Sequence, residues 1–101
     1  MRIVWDPAKG ATNLRKHDVS FEDAAKLLAC QGGFLGIYDD LHSTYEDRFV
    51  AIGWARRRLI VVSYAEPDED ELRIISARVD TKAEREFYED HEKARFPERD
   101  S

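Results

Sequence analysis

This sequence is short of the residues that most metal and redox chemistry requires. Its single cysteine, Cys30, excludes an internal disulfide and a cysteine-built zinc site, and reads as a small apolar residue at a helix end. Its three histidines, at 17, 42 and 91, are too scattered along the chain to form a metal-ligand motif. No apolar run approaches the roughly eighteen residues that a membrane span needs. The opening Met1 to Asp6 is too soon interrupted by charge to read as a signal peptide. Phosphate-cradling glycine loops, the HExxH pair and the serine elbow are all missing. The expectation is a cytoplasmic chain with no cofactor, no metal and no membrane partner.

Charge is plentiful but unevenly placed. The net charge is −5, and 37% of residues are charged. Residues 1–30 carry five basic and four acidic side chains, residues 31–70 four and eight, and residues 71–101 seven and nine. A general nucleic-acid coat needs a positive field and is disfavoured, whereas a local basic pocket remains compatible with these counts. The acidity also suits a basic protein partner.

Local signals predict the elements. Ile3 to Trp5 reads as a short strand, followed by a polar helix from Pro7 to His17 with Asp6 as N-cap and proline in the first turn. Ser20 caps a second helix, in which Asp23 is a weak capping-box acid and Val19 staples to Ala24. Its core stripe is Phe21, Ala24, Ala25 and Leu28, and Gln31-Gly32-Gly33 ends it. Four strands are predicted next, at Phe34–Tyr38, Arg48–Trp54, Leu59–Tyr64 and Leu72–Arg78. The near-continuous apolar run of the third predicts a central strand covered on both faces. A basic tip, Arg56 to Arg58, and an acidic tip, Glu66 to Glu71, separate them. Thr81 and Glu84 form a capping box for a last helix whose apolar side is Ala83, Phe87, His91 and Ala94. The fold class is α+β, an antiparallel meander backed by two N-terminal helices and one C-terminal helix. A single domain over 1–94 and a frayed tail over 95–101 are expected.

Three polar groups stand out from this scaffold. The first helix places Lys9, Asn13 and Lys16 at helical spacing with His17 beside them. The loop before the second long strand crowds His42, Glu46 and Arg48. The last strand carries Ser76 and Arg78. Each has a plain alternative: a solvated helix face, an ordinary surface pair, and an Arg78 that snorkels or pairs with Asp80. Cations with one or two imidazoles suit phosphodiester cleavage by an internal nucleophile. The RNA 2′-hydroxyl attacks, Lys and Arg stabilise the pentavalent phosphate, and His or Glu moves protons.

Three blocks, WDPAKGATNLRKHDVSFEDAAKLL, DDLHSTYEDRFVAIGWARRRLIVVSYAE and RIISARVDTKAEREFYE, together resemble the BrnT family of toxin–antitoxin ribonucleases over about Ile3 to Glu89. The resemblance implies a RelE-like fold and metal-independent mRNA cleavage that inhibits translation. It also implies a cognate BrnA-type antitoxin, in a dimeric toxin–antitoxin assembly that meets operator DNA only through that antitoxin. The family's Trp, Asp and Lys fall on Trp5, Asp6 and Lys9, and its Asn, Lys and His on Asn13, Lys16 and His17. The central His, Glu and Arg fall on His42, Glu46 and Arg48, and the later residues on Ser76, Arg78, Glu84 and Tyr88. The expected catalytic set is Lys9, His17, His42, Glu46, Arg48 and Arg78, with Asn13, Lys16, Ser76 and Tyr88 contacting substrate. Gly10 and Asp18 depart from the pattern, which has Asn and Gly there. The alternatives are a non-catalytic antitoxin-binding module and a degenerate toxin acting as co-repressor.

Overall fold

The computed structural model describes residues 1–30 and 33–95. Five strands and three helices follow in the order β1 (Arg2–Val4), α1 (Pro7–His17), α2 (Phe21–Ala29), β2 (Phe34–Tyr38), β3 (Asp47–Ala55), β4 (Arg58–Asp68), β5 (Glu71–Val79) and α3 (Lys82–Arg95). A short 3₁₀ turn, Asp40–His42, lies between β2 and β3. The α+β expectation holds. The sheet, however, is mixed: β2 to β5 form the antiparallel meander, and β1 joins the far edge parallel to β5, giving the order β1-β5-β4-β3-β2. The expected end of α2 at Gln31-Gly32 lies outside the described residues. So does the tail from 96 onward, although α3 still includes Arg95.

The helix starts are set by their caps. Asp6 accepts a hydrogen bond from the Ala8 N–H (2.9 Å) and Ser20 Oγ one from the Asp23 N–H (3.0 Å), each satisfying a donor the helix leaves unpaired. Asp23 does not complete its capping box; its carboxylate turns to Arg56 at 2.8 Å instead. α1 ends at Asp18, which takes the left-handed conformation (φ 56°), and Arg58 Nη2 donates to the Asp18 carbonyl oxygen (2.6 Å).

The core lies on both sides of β4, as its apolar run predicts. Ile60, Val62 and Tyr64 pack beneath α1 and α2 with Val19, Phe21, Ala24, Leu27, Leu28 and Ala51. Leu59 and Val61 face the other way, against Ile52 and Tyr88. Full burial of a side chain such as Phe21 or Leu59 contributes roughly 1.5–3 kcal/mol. β4 also runs further than expected: it reaches Asp68 and β5 resumes at Glu71, so the acidic tip narrows to Glu69-Asp70.

α3 packs on a different side from the expected one. Tyr88 is buried, while Ala83, Phe87, His91 and Ala94 are exposed. Glu84 and Arg85, partly buried, share the Tyr88 side; Arg85 lies 5.1 Å over the Trp54 ring and pairs with Asp80. Adjacent helical positions differ by about 100°, so choosing Tyr88 over Phe87 as the core aromatic rotates the whole contact face. Phe87 instead stacks on His91, ring centroids 4.2 Å apart. Among the described residues, no helix is long and apolar enough to cross a membrane.

Candidate active site

β1 is too short to cover β5, leaving the β5 edge beyond Arg73 without a neighbouring strand. Asn13 of α1 closes that edge. Its Nδ2 donates to the carbonyls of Ala77 (2.7 Å) and Val19 (2.9 Å), and its Oδ1 accepts from the Ala77 N–H (3.2 Å). This is the pairing a sixth strand would supply. Asn13 is buried, with its amide taken up by backbone, so it holds the strand edge while also bordering the cleft beside it.

The rest of α1's polar side is open. Lys9, Thr12, Lys16 and His17 line a cleft of about 360 Å³ that is closed by Ile75 and Ser76 of β5. Ile75 is the extra residue where the β4–β5 register slips between Ser63 and Tyr64, and the slip brings Ser76 to this edge. Lys16 and His17 sit in the last turn of α1, where the helix dipole favours positive charge, whereas Lys9 lies in its first turn.

A second cleft, about 250 Å³, is lined by Leu41, His42, Thr44, Tyr45, Glu46 and Arg48. Ser43 shapes this loop by donating to the Asp39 carbonyl (2.6 Å) and accepting from the Arg48 N–H (2.9 Å). His42 Nδ1 lies 2.9 Å from Asp39 Oδ2. The two histidines of the expected site therefore occupy separate clefts.

β5 links these clefts. Its outward row is Arg73, Ser76 and Arg78, on the α3 side of the sheet. Arg73 forms an ion pair with Glu46, and Arg48 Nη2 lies 4.0 Å from the same carboxylate. Ser76 belongs to the α1 cleft. Arg78 meets Glu84 bidentately at 2.8 and 2.7 Å. The fork of hydrogen bonds raises the Arg78 guanidinium further, and the same contact holds the Glu84 carboxyl down at about 2. Asp80 pairs directly with Arg85 and acts on Arg78 only at longer range.

Of the expected residues, Lys9, Asn13, Lys16, His17 and Ser76 come together, and His42, Glu46 and Arg48 come together. Arg78 stands apart on Glu84, and Tyr88 is a core residue at 8% exposure. Arg73 is not among the expected site residues; its only sequence signal is its place between Leu72 and Ile74, both buried. Among the described residues, no group of three or more His, Cys, Asp or Glu is arranged to hold a metal ion. The geometry offers guanidinium and ammonium groups around an open sheet face, with an imidazole oriented by a carboxylate beside it. Such groups can bind and polarise a phosphodiester.

The family described as "Ribonuclease toxin, BrnT, of type II toxin-antitoxin system" matches residues 5–84. The crystal structure of the Brucella abortus ribonuclease toxin BrnT superimposes with a TM-score of 0.59 at 28% identity, covering 81% of this chain and 99% of that one. No curated protein matches the sequence.

Proposed function

Because the chain belongs to the BrnT family of type II toxin–antitoxin ribonuclease toxins, we propose that it cleaves mRNA in the cytoplasm, arrests translation, and is held inactive by a BrnA-type antitoxin. The observation that carries this reading is the junction on β5, where Arg73 reaches the His42–Arg48 cleft and Ser76 the α1 cleft. Cationic groups from three parts of the chain thereby border two clefts joined along β5.

The chemistry is transesterification by the RNA itself. The 2′-oxygen attacks phosphorus and the P–O5′ bond breaks, leaving a 2′,3′-cyclic phosphate and a 5′-hydroxyl. Arg48 holds the oxygens of the reacting phosphate as negative charge builds on them, and Lys9 in the α1 cleft holds another stretch of the RNA backbone. His42 takes the 2′-hydroxyl proton: Asp39 beside Nδ1 favours the proton there, leaving Nε2 as the acceptor. The leaving 5′-oxygen takes its proton from solvent at the open cleft, because His17 lies in the separate α1 cleft. Residues 1–94 act as one domain, and the antitoxin carries the operator-binding function.

The Arg78–Glu84 pair favours a second reading, a non-cleaving module that only docks its partner, because that guanidinium is already neutralised. Expression with and without the neighbouring gene's product, followed by mapping of RNA 5′ ends, separates the two. Growth arrest with new 5′-hydroxyl ends, both abolished by Arg48→Ala, supports the ribonuclease. Folded protein that leaves growth and transcripts untouched supports the docking module.

A further inference from the structure

The strand register brings together two arginines that lie 25 positions apart. Arg48 on β3 pairs with Ala65 on β4, and Ala65 pairs with Arg73 on β5. Both side chains therefore leave the same side of the sheet, with one buried alanine between them and backbones about 10 Å apart. Glu46 bridges the two guanidiniums.

Charge on this face decides what the cluster can bind. Two guanidiniums share one carboxylate as their direct ion-pair partner. The Arg78–Glu84 pair on the same face is neutral. Asp39, whose N–H donates to the Arg48 carbonyl, turns its carboxylate to His42 Nδ1 (2.9 Å) and not to either guanidinium. Asp47 and Glu66 pair with each other's strands one position further along, so they point to the opposite side; Tyr38 Oη donates to Asp47 there (3.2 Å). Glu71 is engaged by Arg2 at 2.5 Å. Glu46 contacts Arg73 through Nη2 alone, so most of that guanidinium's edge stays open, and the side chain is 41% exposed. An open guanidinium edge beside a second one suits the oxygens of a phosphate backbone.

We propose that Arg73 is a further substrate-binding residue, gripping single-stranded RNA at the phosphate next to the one held by Arg48, with Glu46 keeping the two guanidiniums in register. This rests on the ribonuclease reading, which supplies RNA as the ligand. Arg73 itself would act in binding.

Two measurements keep the proposal and that reading apart. The first is cleavage of a defined single-stranded RNA by the purified full chain and by Arg73→Ala and Arg73→Lys. The second is anisotropy of the same sequence with 2′-deoxyriboses, which can be bound but cannot be cleaved. Both run from 50 to 200 mM salt. Arg73→Ala is expected to raise KM and Kd about tenfold and to leave kcat nearly unchanged, since a charge-assisted contact of this kind has about that effect. The log–log salt slope should flatten by about 0.7, the value for one phosphate contact on a single strand. Arg73→Lys should keep the slope while recovering part of the affinity. Unchanged slope and affinity in Arg73→Ala overturn the proposal, as does an equal loss in both variants with no change of slope. Tight, Arg73-dependent binding by a wild-type protein that cleaves nothing would sustain the proposal and overturn the ribonuclease reading.

Discussion

Glu84 joins both ends of the turn between β5 and α3: it takes the fork of Arg78 at the strand's end and closes the α3 capping box. Its Oε1 accepts from the Thr81 N–H at 2.8 Å, while Thr81 Oγ1 accepts from the Glu84 N–H at 3.2 Å. One carboxylate thus starts the last helix and sets the conformation of an arginine on the candidate site's face. Hydrogen bonds from Arg78 and then from Thr81 lower its pKa from an ordinary 4.5 to about 2, against the opposing effect of burial. A depressed carboxylate pKa stabilises the fold above the unfolded value, and that contribution is lost as pH falls. Thermal stability should therefore decline between about pH 4.5 and 2. Glu84→Gln should lower stability near neutral pH by about 1–2 kcal/mol and flatten that acid limb. Melting curves across this range check both; an acid limb as steep in the variant as in the parent would assign it to other carboxylates.

Asn13 gives the second prediction. Asn13→Ala orphans the Ala77 N–H and removes the donor to two buried carbonyls, a loss of about 2–4 kcal/mol. Urea denaturation should register that loss. RNA affinity per folded molecule should stay level, because no substrate contact is removed. A weakened affinity with unchanged stability would make Asn13 a substrate contact.

The third prediction concerns the tip between β3 and β4. Ala55 pairs with Arg58, so Arg56 and Arg57 are the two central residues of a tight hairpin, with φ of 50° and 70°. That conformation favours Asn-Gly, and a bulky residue in the left-handed region is strained by about 1 kcal/mol. Arg56 is tied to Asp23, but Arg57 has no described partner. Arg57→Gly should raise stability by about 0.5–1 kcal/mol in chemical denaturation. A loss instead would mean that Arg57 makes a contact that outweighs the strain.

Which features could be read from the sequence follows from the range of the interactions. The caps at Asp6, Ser20 and Thr81–Glu84 act within three residues, and all three form as their spacing implies. β4 was legible because burial on both faces erases alternation and leaves an unbroken apolar run. The parallel seat of β1 was not, since nothing in three residues encodes pairing with a strand nearly seventy positions away. The same distance hides Asn13: its partner is Ala77, 64 positions on, so an amide on a polar helix looks like a ligand. On α3 the sequence offers two adjacent aromatics, Phe87 and Tyr88, and periodicity picked the wrong one because Ala83, His91 and Ala94 share the Phe87 side. The sheet needed Tyr88, and the charged Glu84 and Arg85 came with it to reach Arg78, Asp80 and Trp54. Arg73 was visible as an outward residue, but its link to Glu46 comes from the register across three strands.

The most direct test of the account is the chemistry of the RNA ends left by the purified chain in chelator-treated buffer. Incubation with single-stranded RNA should yield 2′,3′-cyclic phosphate and 5′-hydroxyl ends. His42→Ala and Arg48→Ala should each slow the reaction at least a hundredfold with the fold intact. Ends bearing 5′-phosphate, or full activity in both variants, would contradict it.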